Sequence, residues 1–115
     1  MRIYRRILLA STLAASLFAG ATVHASQLEQ IKKKGELVVG ILGTDEPNSF
    51  IDPKTREYIG YEVDLAKEVA AKMGVKPVFK QVAVAARIPE LQQGRIDMLA
   101  ASLTHNKERE AQIDF

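Results

Sequence analysis

The sequence predicts an α/β chain built around a parallel sheet, and three observations predict it. Two apolar runs of strand length, Leu37–Ile41 and Ile96–Ala101, show no polar alternation, as strands covered on both faces do. Between them, Tyr61–Met73 keeps Val63, Ala66, Val69, Ala70 and Met73 on one helical stripe, with Glu62, Lys67, Glu68 and Lys72 off it. Helix and strand then alternate along the chain, the order expected of right-handed crossovers into a three-stranded parallel sheet.

The first 25 of the 115 residues stand apart. Arg2, Arg5 and Arg6 form a basic start, Ile7–Ala19 is an apolar run, and Val23-His24-Ala25 places small residues where a signal peptidase cleaves. The run is short and rich in Ala and Ser, which favours a cleavable secretory signal over a membrane anchor. The expected division is therefore 1–25 signal peptide and 26–115 folded chain, with the mature protein exported. There is no Cys, so no lipid anchor follows the signal and the fold must stand without disulfides. The whole chain has 16 Lys and Arg against 14 Asp and Glu. Three of those arginines leave with the signal, so the mature part is close to neutral and no nucleic-acid partner is expected.

In order, Ser26-Gln27-Leu28-Glu29 is a capping box, and the helix it starts ends at Gly35 after three lysines that suit a helix C-terminus. Leu37–Ile41 is the first strand. Gly43–Ser49 reads as loop, Phe50-Ile51 as a short extended piece, and Asp52-Pro53-Lys54-Thr55 as a turn. The helix from Tyr61 ends at Gly74, and a strand interrupted by Lys76, Lys80 and Gln81 lies within Val75–Val82. Ala83–Ala86 is a small-residue loop before a helix with Pro89 in its first turn and Gly94 as its stop. Ile96–Ala101 then runs through a polar turn into a helix capped by Thr104 or Asn106, and Ile113–Phe115 reads as the start of another strand.

In parallel sheets ligands bind outside the carboxyl ends of the strands. Three loops share that edge, 42–49, 82–87 and 102–106, with Arg87 and Arg109 on or just after it. A strand feeding a helix start leaves backbone N–H groups free for an anion, and Ser102 and Thr104 add hydroxyls there. Arg109 sits in a first helical turn, where the helix dipole disfavours a cation, so either a partner such as Glu108 or Glu110 or a ligand role is expected of it. His105 reads as exposed, Glu62 and Asp64 as structural or solvated, and Tyr61 as packed at the sheet edge.

Gly60-Tyr61-Glu62-Val63-Asp64-Leu65, followed by Val69-Ala70 and Met73, resembles the signature of bacterial solute-binding proteins of family 3, the periplasmic receptors of polar amino acid ABC transporters. Gly35–Gly40, Arg87–Asp97, Ser102-Leu103-Thr104 with Glu108-Arg109, and Ile113-Asp114-Phe115 extend the resemblance over 27–115. Arg87-Ile88-Pro89 and Asn106–Arg109 look most like the glutamate/aspartate-type branch.

The resemblance implies a receptor of two α/β lobes closing over an amino acid and delivering it to a membrane permease, with 26–115 as an incomplete first lobe of a longer, monomeric protein. It implies that Arg109 pairs with the ligand α-carboxylate, a bidentate task suited to a planar guanidinium. Ser102 and Thr104 match positions holding the carboxylate and the ammonium. Arg87 matches an arginine facing a side-chain carboxylate, or else a brace of its loop, and Asn106 a further polar contact. Leu42 and Val84 depart from the charged, polar or aromatic residues common there, and Phe50 is left as the stacking partner. No cofactor or metal is implied. Dehydratase-like enzymes and sensory input modules use the same fold, but no nucleophile–base pair or carboxylate dyad is visible, so no enzymatic activity is expected.

Overall fold

The computed structural model describes residues 26–115, so the expected signal peptide lies outside the described residues. Helix α1, Gln27–Lys34, opens with the capping box: the Ser26 hydroxyl accepts from the Glu29 amide and the Glu29 carboxylate from the Ser26 amide. Gly35 closes it at φ 78°, a left-handed conformation that glycine adopts without a Cβ penalty. The chain reverses directly into β1, Glu36–Ile41.

Strand β1 is the centre of a parallel sheet. It pairs with β5, Lys76–Gln81, on one side and with β6, Met98–Leu99, on the other, in the order β5-β1-β6. The third strand was expected over Ile96–Ala101; its ladder is shorter, but hydrogen bonds from Asp97 N to Val38 O and from Ala100 N to Gly40 O continue the pairing on both sides. Gly40 is where the close approach happens: a Cβ there would meet Ile96 Cδ1 at 2.7 Å. Its absence lets Ile96 pack fully buried beside β1.

Helix α2, Tyr61–Met73, lays Val63, Ala66 and Ala70 onto Leu37, Val39 and Ile41, the face its spacing predicts. Ile31 of α1 and Ala100 complete the core. Small residues on the α2 stripe let helix and sheet approach closely, and burial of these apolar groups is the main force holding the layers. A 3₁₀ turn, Val84–Ala86, occupies the expected small-residue loop and leads into α3, Arg87–Gln92.

Two departures from the sequence reading have physical causes, and one alternative it left open is resolved. The 43–49 segment is not all loop: β2 (Thr44–Asp45), β3 (Ser49–Ile51) and β4 (Tyr58–Ile59) form a small antiparallel sheet, with strands too short for alternation to be legible. Of the two proposed caps for α4, Lys107–Glu110, Asn106 is the one used, its Oδ1 accepting from Arg109 N at 2.9 Å. Ile113–Phe115 is not a strand here; Gln112 and Ile113 donate their amides to Arg109 O, closing the end of α4, and the Phe115 ring meets His105 edge-on.

Candidate functional site

The carboxyl ends of β1, β5 and β6 lie on one rim, and Ser102 is where most of its elements meet. The ladder of β6 has ended before Ser102, which takes a left-handed backbone at φ 49°. Its amide donates to Glu62 Oε1 at 2.7 Å, its carbonyl accepts from Arg87 Nη1 at 3.0 Å, and its hydroxyl donates to Asp45 Oδ2 at 2.5 Å. The second residue of α2, the first of α3 and the last of β2 thus converge on one serine.

The folding of the neighbouring loop explains why Asp45 and Glu62 arrive together. Tyr61 N and Glu62 N, two of the unpaired amides at the start of α2, donate to Pro47 O and Asn48 O of the β2–β3 connection. Gly60 carries φ 127°, and a Cβ there would stand 2.5 Å from Asn48 O, so only glycine permits this docking. Ser49, fully buried, accepts from Gly43 N and ties the base of the hairpin. The Ser102 hydroxyl, and after it the Asn48 amide, hold the Asp45 carboxyl below the usual carboxylate range.

Arg87 is buried, 8% exposed, and its Nε and Nη1 are committed to carbonyls: Val84 O at 3.0 Å and Ala101 O at 2.8 Å, besides Ser102 O. Its side chain braces the rim from beneath. Arg109 is only partly buried, and its Nη1 donates to Thr104 O at 2.7 Å, so its guanidinium lies against the turn that Thr104 opens. Thr104 and Asn106 are exposed on the same turn. Phe50 is half-buried in β3, opposite Thr44 and Ile59. Leu42 and Val84 line a separate shallow cleft of about 390 Å³ with Thr44, Gln81, Val82 and Ala83.

Ser102 and Arg87 are therefore in direct contact, Thr104, Asn106 and Arg109 form an adjoining group, and Phe50 lies on the small sheet that Asp45 joins to Ser102. Tyr61 corrects an expectation: it is 69% exposed, because the first residue of α2 projects past the sheet beside an apolar groove along β6. Asp45 was not singled out in the sequence; its signal was position alone, a carboxylate in the first loop after β1. His105 is exposed as expected, with Nε2 3.4 Å from Glu110. Among the described residues no group of His, Asp and Glu is placed to hold a metal ion.

A parallel sheet with a polar, arginine-flanked rim at its carboxyl edge defines one lobe of an α/β ligand-binding protein. Residues 37–115 match bacterial extracellular solute-binding proteins, family 3, and the chain belongs to that family. It is 35% identical over 91 residues to the glutamine-binding protein of Geobacillus stearothermophilus, covering 76% of this chain and 35% of that one. It is 30% identical over 124 residues to the L-glutamate/L-aspartate-binding protein of Pseudomonas aeruginosa, covering 100% of this chain and 41% of that one. Among solved structures, the arginine-bound form of the Phe57Trp mutant of domain 1 from TmArgBP superposes with TM-score 0.69 at 32% identity, covering 73% of this chain and 64% of that one. The ancestral amino acid-binding protein AncCDT-1, described as a precursor of cyclohexadienyl dehydratase, gives TM-score 0.75 at 38% identity, covering 78% and 39%. The chain spans roughly a third to two fifths of the length of the curated relatives it matches.

Proposed function

We propose that this chain forms the ligand-contacting first lobe of a periplasmic receptor that binds a polar amino acid, acidic or amidated, and delivers it to an ABC permease. The observation that carries the reading is the Arg109 guanidinium held against the Thr104 carbonyl, beside Ser102, on the rim where the carboxyl ends of the strands meet. A guanidinium fixed on one side by a carbonyl keeps donors for a carboxylate on the other, and charge-assisted bonds of that kind are among the strongest available. The family membership and the printed ligands of relatives, glutamine and glutamate/aspartate, support an amino acid as that carboxylate. An arginine-bound structure of a single domain of TmArgBP supports ligand contact from one lobe. Periplasmic location and a permease partner follow from the same family role, and the site residues serve binding without chemistry.

The test is calorimetry on the full gene product with L-glutamine, L-glutamate, L-aspartate, L-cystine and L-arginine. At least one of L-glutamine, L-glutamate and L-aspartate is expected to bind, with affinity falling about 100-fold in Arg109→Ala, in line with loss of a charged hydrogen-bonded pair. Failure of those three to bind would overturn the acidic or amidated reading, and failure of all five the receptor reading itself.

A further inference from the structure

We propose that Glu62 is a positioning residue for ligand binding: by accepting the Ser102 amide it holds Ser102 in its left-handed backbone and so aims the turn that carries Thr104 and Arg109. The inference rests on the receptor reading and names the residue that shapes its anion-binding side.

Four observations converge on Glu62. Ser102 is a non-glycine residue at φ 49°, a conformation that persists only when its surroundings over-determine it. It lies beyond the β6 ladder, so the sheet supplies no acceptor for its amide. Glu62 Oε1 supplies that acceptor at 2.7 Å and so fixes the backbone, while the Ser102 hydroxyl, 3.3 Å from the same oxygen, gives its proton to Asp45 Oδ2 at 2.5 Å. Finally, Glu62 Oε2 is buried with no hydrogen-bond partner. A half-buried carboxylate with one unsatisfied oxygen is a cost to the fold. Its position in the first turn of α2, where the helix dipole favours an anion, offsets part of that cost.

The mechanical consequence runs outward. With the amide held by Glu62 and the carbonyl by Arg87, the peptide planes on both sides of Ser102 are fixed between a carboxylate and a guanidinium. The next residues leave the sheet in one direction, and the Thr104 carbonyl at the end of that path receives Arg109 Nη1. Glu62 touches no ligand in this scheme; it acts through Ser102.

The test compares Glu62→Leu, which removes the acceptor, with Glu62→Gln, which keeps one, in the full gene product. The readouts are affinity for whichever of the five amino acids binds the parent protein most tightly, amide hydrogen exchange at Ser102, and thermal midpoint. In Glu62→Leu, affinity is expected to fall about tenfold and Ser102 exchange to accelerate by a similar factor, the equivalent of one hydrogen bond to a charged group. Glu62→Gln is expected to stay within about threefold on both, with the thermal midpoints close together, because its amide oxygen still accepts. Equal losses in the two variants that follow the melting temperature would overturn the proposal, as would unchanged affinity in Glu62→Leu. A Ser102 amide that exchanges in the parent protein as fast as an open loop overturns it whether or not Glu62→Leu folds. If no amino acid binds the parent, the receptor reading falls, while a protected Ser102 amide released only by Glu62→Leu still supports the clamp.

Discussion

Asp97 and Val38 are joined in both directions across the parallel sheet: Asp97 Oδ2 accepts the Val38 amide at 2.9 Å, and the Asp97 amide donates to Val38 O at 2.8 Å. The same carboxylate oxygen takes Lys34 Nζ at 3.2 Å. One side chain therefore locks β6 in register against β1 and ties the end of α1 to both.

The two partners of Asp97 are not equal. Its carboxylate is mostly shielded whereas the lysine is half exposed, with side-chain exposures of 14% and 48%. Asp97→Ala is expected to cost about 2 kcal/mol, because the Val38 amide is left unpaired. Lys34→Ala is expected to cost under about 0.5 kcal/mol, as solvent-exposed ion pairs do. Urea denaturation of the two variants of the full gene product measures both.

Removing the Arg87 side chain leaves the Val84, Ala101 and Ser102 carbonyls without their donor. Arg87→Ala is expected to lose about 2–4 kcal/mol of stability. Arg87→Lys should restore less than half of it, since a single ammonium cannot span three carbonyls that a guanidinium fork reaches. Chemical denaturation separates this bracing role from binding, which would leave stability near that of the parent.

The turn before α4 distinguishes its two polar residues. Asn106→Ala removes the cap on Arg109 N and is expected to cost about 1 kcal/mol, with faster amide exchange at Arg109. Thr104→Ala removes no cap and should stay within about 0.5 kcal/mol in stability while weakening ligand affinity.

Glu90 lies between Lys80 and Arg95, at 2.8 Å from each, and the Arg95 bond first, then the Lys80 bond, lowers its carboxyl from 4.5 to about 2. A folded-state value below the unfolded one gives stability that is complete above pH 4.5 and is lost as pH falls towards 2. Glu90→Gln should therefore show a shallower decline in melting temperature across that window. Equal slopes in the two proteins would contradict the assignment.

Much of this architecture was legible because it rests on local rules. The capping box at Ser26, the stops at Gly35 and Gly74 and the α2 stripe are patterns of neighbours a few residues apart, and each appears where its spacing places it. The small sheet was not legible, since Thr44–Asp45 and Tyr58–Ile59 are two-residue strands made by pairing and not by propensity. The rim divides the same way. Arg109 and Ser102 lie in one recognisable strand–turn–helix stretch, but the contacts of Ser102 with Glu62 and Asp45 join residues 40 and 57 positions apart. No periodicity reports such a meeting; it is fixed by how α2 docks on the β2–β3 connection.

The turn between β3 and β4 closes on itself: Asp52 Oδ1 accepts the Lys54 and Thr55 amides, Arg56 N donates to Asp52 O, and Asp52 N donates to Glu57 O. It makes no use of the rim, and its residues are exposed at the tip. Extra residues spliced between Lys54 and Thr55 would lengthen a hairpin cap without shifting the register of Phe50 against Ile59, whereas a residue added between Asp45 and Ser49 would displace the Pro47 and Asn48 carbonyls that accept the Tyr61 and Glu62 amides. The molecule thus offers an attachment point for a reporter group at one end of the small sheet and forbids it at the other.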